Sequence, residues 1–148
     1  MADKYGQIAD FIYKNSLTSN IAIVEIKTPA VKLVASSSYR ANVYAITESV
    51  SGGISQVLSQ KHSLLREYNS IKNNDQGEFN TCNPRCFLIV GCFENTPLNK
   101  HQMQSFELFR NTISGIEVIT FDELFKKAEL LVALLEGSFN KFLITPQP

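Results

Sequence analysis

Asp10, Glu25 and Lys27 are the residues of this 148-residue chain whose types and spacing could do chemistry. Residues 21–28 read IAIVEIKT, a β-branched, apolar run that predicts an interior strand ended by Pro29. On a strand, Ile21, Ile23, Glu25 and Lys27 share one face and Ala22, Val24 and Ile26 the other. Both faces are apolar through residue 24, so charge enters abruptly at Glu25. Burying an unpaired carboxylate is costly, and such a group normally brings a cation, a metal or hydrogen-bond donors with it. Asp10, on a strand expected to pair with this one, is the natural neighbour. Two carboxylates and an ammonium converging at a strand end can bind Mg²⁺ and orient a water. Periodicity alone, however, favours a solvated strand end, where Glu and Lys two apart are common.

The elements that must position these groups follow from pattern and punctuation. Residues 7–14 alternate as a strand, and the Ser, Thr and Asn of 15–20 form a turn, which makes the first two strands an antiparallel hairpin. The stretch 29–47 is polar and reads as irregular. Apolar residues at 50, 54, 57, 58, 64, 65, 68 and 71 predict a helix over 50–71, followed by a loop over 72–84. A buried strand at 85–92, a helix at 99–113, a strand at 116–121 and a helix at 122–136 complete the chain. Thr120 with Glu123 offers a capping box for the last helix and Gly137 a stop. The resulting order, β-β-α-β-α-β-α, predicts an α/β fold: one domain with a mixed sheet flanked by helices. Phe106, Phe109, Phe121 and Phe125 are expected in its core.

Composition narrows the class. A 44% hydrophobic chain of this length needs no disulfide or metal to hold it together. Its longest apolar runs, 86–90 and 130–135, fall far short of the ~18 residues of a spanning helix, and the polar start is no signal peptide, so a cytoplasmic protein with no membrane partner is expected. Cys82, Cys86 and Cys92 lack a CxxC pair and read as structural thiols. No glycine-rich phosphate loop follows any strand, since Gly52-Gly53 alone does not make one. Zero net charge argues against a nucleic acid partner, but it hides a split. Residues 1–72 hold eight Lys and Arg against five Asp and Glu, and residues 73–148 hold six against nine. The first half, which contains the candidate site, is therefore net basic.

Asp10 followed by Glu25-Ile26-Lys27 resembles the D-x(n)-(D/E)-x-K signature of the PD-(D/E)XK nuclease superfamily. More closely, VEIKTP at 24–29, YRANVY at 39–44, SGGISQVLSQK at 51–61, SFELFRN at 105–111 and ITFDELF at 119–125 resemble the nuclease domain of the Shedu anti-phage defence family. That resemblance implies a restriction-endonuclease-like fold and a metal-dependent DNA endonuclease, homo-oligomeric, whose cut leaves a 5′-phosphate. It implies that Asp10, Glu25 and the Ile26 carbonyl ligate Mg²⁺ or Mn²⁺ and that Lys27 positions or helps deprotonate the attacking water. Gln56 matches the first position of a QxxxY motif found in the superfamily and is assigned to the active site, whereas Gln60 departs from its Tyr and is left open. Lys61, near the middle of the apolar stripe, either snorkels past the core or reaches the scissile phosphate. Lys32 and Arg40, in the basic stretch beyond the strand, suit phosphate contact, although an exposed Arg needs no such explanation. Arg110 reads as a structural anchor or an oligomer contact. Shedu proteins carry variable regions ahead of the nuclease domain, so a fragment lacking an N-terminal region is expected. The alternative reading is a DNA-binding or oligomerisation module with an incomplete catalytic site.

Overall fold

The computed structural model describes residues 10–18, 20–72 and 83–137, apart from the side chains of 68–72. Its framework is a four-stranded mixed sheet in which residues 11–14, 21–26, 85–89 and 117–119 lie side by side in that order. β1 (Phe11–Lys14) runs antiparallel to β2 (Ile21–Ile26), with Phe11 opposite Val24. β2, β5 (Arg85–Ile89) and β6 (Glu117–Ile119) are mutually parallel, with Glu25 opposite Leu88 and Leu88 opposite Val118. Parallel neighbours require crossovers. Helix α1 (Glu48–Lys72) lies on the path from β2 to β5 and α2 (Lys100–Thr112) on the path from β5 to β6.

The expected strands and helices are all present, with ends shifted by a few residues. Residues 7–9 of the first strand, most of the 72–84 loop and Cys82 lie outside the described residues. The stretch 29–47 is not irregular. It holds a second sheet, the hairpin of β3 (Val34–Arg40) and β4 (Val43–Ile46), so the observed order is β-β-β-β-α-β-α-β-α. Its turn places Asn42 at φ 61°, a left-handed conformation that Asn tolerates better than most residues. The pairing register also shifts twice along the hairpin. Most of β3 is exposed Ser, Tyr and Arg, so apolar alternation is missing. The hairpin is held instead by docking on α2, where the Tyr44 N–H donates to Ser105 Oγ at 3.1 Å.

Ile21 and Ile23 of β2, Val50 and Val57 of α1, Cys86 and Leu88 of β5, and Phe106 of α2 meet in one buried cluster. α1 packs on β2 and β5. Cys86 and Cys92 are free and buried, and burial raises the Cys86 thiol against the opposing pull of Lys61. Of the four phenylalanines expected in the core, Phe106 is fully buried and Phe109 packs partly against the cluster. On α3 (Phe121–Leu135), Phe121 is half-buried and Phe125 is exposed, because no strand or helix among the described residues packs extensively on α3. No helix among the described residues is long and apolar enough to cross a membrane.

An ion-pair clamp ties α2 to the start of α3. Arg110 donates to both Glu123 oxygens at 2.7 Å, pairs with Glu107 at 2.6 Å and lies over the Phe106 ring. Glu123 also accepts from the Thr120 N–H at 3.0 Å, which is the glutamate half of the expected box. The hydrogen bond to Glu123 raises the Arg110 guanidinium's affinity for its proton. Burial works to raise the Glu123 carboxyl, but Arg110 and Thr120 outweigh it and hold the group at about 2. A depressed carboxyl stabilises the fold fully above its ordinary value of 4.5, and that contribution is lost as pH falls through about 2. Glu123→Gln is therefore expected to cost about 1.5–3 kcal/mol at neutral pH. Urea unfolding across pH checks this, with the gap from wild type closing between about pH 4.5 and 2.

Candidate functional site

Glu25 closes the buried face of β2. Ile21, Ile23 and Glu25 alternate inward, and Glu25 is only 2% exposed. Lys27, just past the strand, folds back so that Nζ donates to Glu25 Oε1 at 2.7 Å and to Gln56 Oε1 of α1 at 3.1 Å. The lysine thus joins the strand end to the helix. Glu25 Oε2 is buried and has no hydrogen-bond partner among the described residues. Continuing the β1 register by one residue sets Asp10 opposite Glu25, and its Oδ2 accepts from the Ile26 N–H at 2.8 Å. In a strand, the N–H and C=O of one residue face the same side, so the Ile26 carbonyl shares the edge that Asp10 occupies.

Close approach of α1 makes the Lys27–Gln56 contact possible. A Cβ on Gly53 would stand 2.9 Å from Leu88 Cδ1 and 3.6 Å from Lys27 Cε, so only glycine lets the helix sit this near the sheet without displacing a neighbour. Gly52, by contrast, faces open space. Beside it lies a groove of about 990 Å³, lined by Lys27, Gln56, Glu48, Ser49, Gly52 and Ser59 among others. The small residues of this helix face recur at 49, 52, 55 and 59, a helical spacing that is its signal in the sequence.

Asp10, Glu25, Ile26, Lys27 and Gln56 come together at this strand end, and Gln60 lies one helical turn beyond Gln56. The three predicted phosphate contacts do not line the groove. Lys32 is exposed and reaches Ser36 Oγ at 3.5 Å. Arg40 is at the tip of the β3–β4 hairpin, roughly 20 Å along the strand from its base. Lys61 donates to Asn83 Oδ1 at 2.8 Å, beside the opposite end of β5. Among the described residues, no group of three or more His, Cys, Asp or Glu could hold a metal ion. The oxygen donors on hand are two carboxylates and a backbone carbonyl. Hard cations accept such a set completed by water, and the unpartnered, buried Glu25 Oε2 is the atom that fits one.

Fold and site together define a mixed-sheet α/β domain with a buried carboxylate–lysine pair at the end of an interior strand. Residues 1–125 match the family model described as Shedu protein SduA, C-terminal. The Shedu protein SduA of Bacillus cereus (strain B4264) is 39% identical over 137 residues, which cover 89% of this chain and 36% of that protein. The chain belongs to the Shedu SduA family. It spans about 36% of the length of the relative it matches.

The two adjacent glycines of α1 have opposite expected responses. Gly52→Ala, at an open helical position, should stabilise the domain by about 0.5–1 kcal/mol. Gly53→Val should destabilise it by about 1–3 kcal/mol through contact with Leu88. Urea unfolding of both variants measures the difference.

Proposed function

We propose that this chain is the nuclease domain of a Shedu anti-phage defence protein, a restriction-endonuclease-like domain that hydrolyses DNA phosphodiester bonds with Mg²⁺ or Mn²⁺. The observation that carries the reading is the buried Glu25 carboxylate, with one oxygen on Lys27 and the other without a partner among the described residues. Retaining a charged group in an apolar strand is costly, and a carboxylate with one vacant oxygen is suited to a cation. Asp10, Glu25 and the Ile26 carbonyl would hold the ion. When bound, it would neutralise phosphate charge and lower the pKa of an attacking water.

The remaining chemistry belongs to the chain's own groups. Lys27 Nζ, steadied by Gln56 Oε1, is the group placed to orient the water and to exchange a proton with it. Its side chain is 31% exposed, so it reaches the groove while its partner Glu25 stays buried. The first turn of α1, with Glu48 and Ser49, opens on the same groove. The partner is then DNA, that of an infecting phage. The rest of a homo-oligomer in the cytoplasm would supply the positive potential that this neutral chain lacks.

A second reading has one observation in its favour. Asp10 Oδ2 is engaged by the Ile26 N–H, as in a purely structural strand cap, which suits a DNA-binding or assembly module with an incomplete catalytic site. Cleavage of supercoiled plasmid with and without Mg²⁺ separates the two. Glu25→Gln and Lys27→Met, each confirmed as folded by circular dichroism, should lower the Mg²⁺-dependent rate by at least about 100-fold. Cleavage that persists in both variants, or that ignores the metal, sinks the nuclease reading.

A further inference from the structure

The groove beside Lys27 continues past its own wall. Pro29 and Phe121 line it and also line a second cavity, of about 550 Å³, which reaches Phe125. The two cavities adjoin at the carboxyl ends of the parallel strands, where open α/β sheets place their ligands. Backbone hydrogen bonds fix the spacing there. The Gly91 N–H donates to the Thr28 carbonyl at 3.2 Å and the Phe121 N–H to the Gly91 carbonyl at 2.9 Å. Residues 28, 91 and 121 therefore extend β2, β5 and β6 side by side, in the register of the strands. Two strand spacings put the Phe121 backbone about 10 Å from Thr28, the length of roughly three nucleotide steps.

The second cavity differs from the first in chemistry. Phe121 is half-buried, and Phe125, one helical turn on, is 61% exposed, with the ring centroids 6.3 Å apart. A single exposed phenylalanine needs no explanation, but these two and Pro29 make an apolar wall continuous with the candidate site. The charged part of the lining is mainly acidic: Glu94, Asp122 and Glu129 stand against Lys126, which pairs with Glu129 at 3.3 Å. Asp122 is engaged by the backbone, accepting from the Phe93 N–H at 2.9 Å and the Glu123 N–H at 3.2 Å. Such a lining repels a phosphate backbone. It offers aromatic faces to a base and, in Glu94 and Asn95, acceptors for the base's amino groups. The apolar residues farther along α3, Leu131, Val132, Leu134 and Leu135, line neither cavity.

We propose that Phe121 and Phe125 form a stacking subsite for an unpaired nucleobase close to the phosphate that is cut. A base meets an aromatic face only after it has left its duplex partner. The substrate class is therefore single-stranded or locally unpaired DNA, with the backbone held in the groove at Lys27 and Gln56 and a neighbouring base laid over Phe121 toward Phe125. This inference rests on the nuclease reading of the strand end.

The test uses an oligothymidylate carrying one 2-aminopurine, whose fluorescence is quenched on stacking, and a blunt duplex of the same length. Both are titrated with wild type, Phe121→Leu, Phe125→Ala and Leu135→Ser in Ca²⁺, each protein confirmed as folded by circular dichroism, and plasmid cleavage is followed in Mg²⁺. Wild type is expected to prefer the single strand and quench the probe. Phe125→Ala should bind it about 5- to 100-fold more weakly, Phe121→Leu should lose the quenching, and Leu135→Ser should match wild type. Wild-type affinity and quenching in both phenylalanine variants overturn the subsite. An equal loss in Leu135→Ser, or a change of oligomeric state in Phe125→Ala by light scattering, assigns the face to contact between copies of the chain and overturns it as well. A wild type that cuts plasmid yet prefers the duplex overturns the stacking subsite and leaves the nuclease reading standing. A wild type that neither binds nor cuts DNA removes that reading and this inference with it.

Discussion

The ion pair between Glu25 and Lys27 is the constraint to which the rest of the structure answers. A carboxylate that is 98% buried needs a counter-charge within reach, and the chain supplies it two residues later on the same strand face. That choice fixes the other parts. Lys27 lies where β2 leaves the sheet, so its ammonium is directed back over the strand and needs a second acceptor, which Gln56 provides. Gln56 is near enough only because Gly53 lets α1 close on Leu88. The helix register, the glycine and the strand end are therefore one arrangement.

Much of this was legible in the residues, because buried strands and amphipathic helices write their periods plainly. IAIVEIKT announced β2, and the apolar spacing from Val50 announced α1. The abrupt entry of charge at Glu25 marked the site. What stayed hidden had weak local signals. In β3 the exposed face is polar and the register shifts, so no alternation of period two survives, although Asn42 at its turn was a usable clue. Phe125 shows the converse error, since an aromatic residue at helical spacing reads as core whether or not anything covers it. Lys61 lay in the apolar stripe for a reason that only the fold reveals: its stem crosses the packed face to reach Asn83.

The division of charge acquires a structural meaning. The net basic first half builds β1, β2, the hairpin and α1, which carry the candidate site. The net acidic second half supplies β5, α2, β6 and α3, and of these α3 lends Phe121 to the groove while the clamp of Arg110 with Glu107 and Glu123 is not part of its lining. The two halves meet where β2 pairs with β5, so the supporting half holds the site in place by backbone hydrogen bonds and apolar contact rather than by charge.

The separation along the chain of the groups that meet at this strand end has a kinetic consequence. Asp10 reaches Ile26 across 16 residues and Lys27 reaches Gln56 across 29, while β2 finds β5 only after the hairpin and α1 have intervened. Contacts so distant in sequence form late, because loop closure must be met before they can reward it. The β1–β2 hairpin alone holds Asp10, Glu25 and Lys27, but Gln56 and the burial that α1 and β5 impose on Glu25 arrive only with these distant contacts. Whatever chemistry the strand end performs is therefore withheld from a growing or half-folded chain and appears only when the sheet has closed.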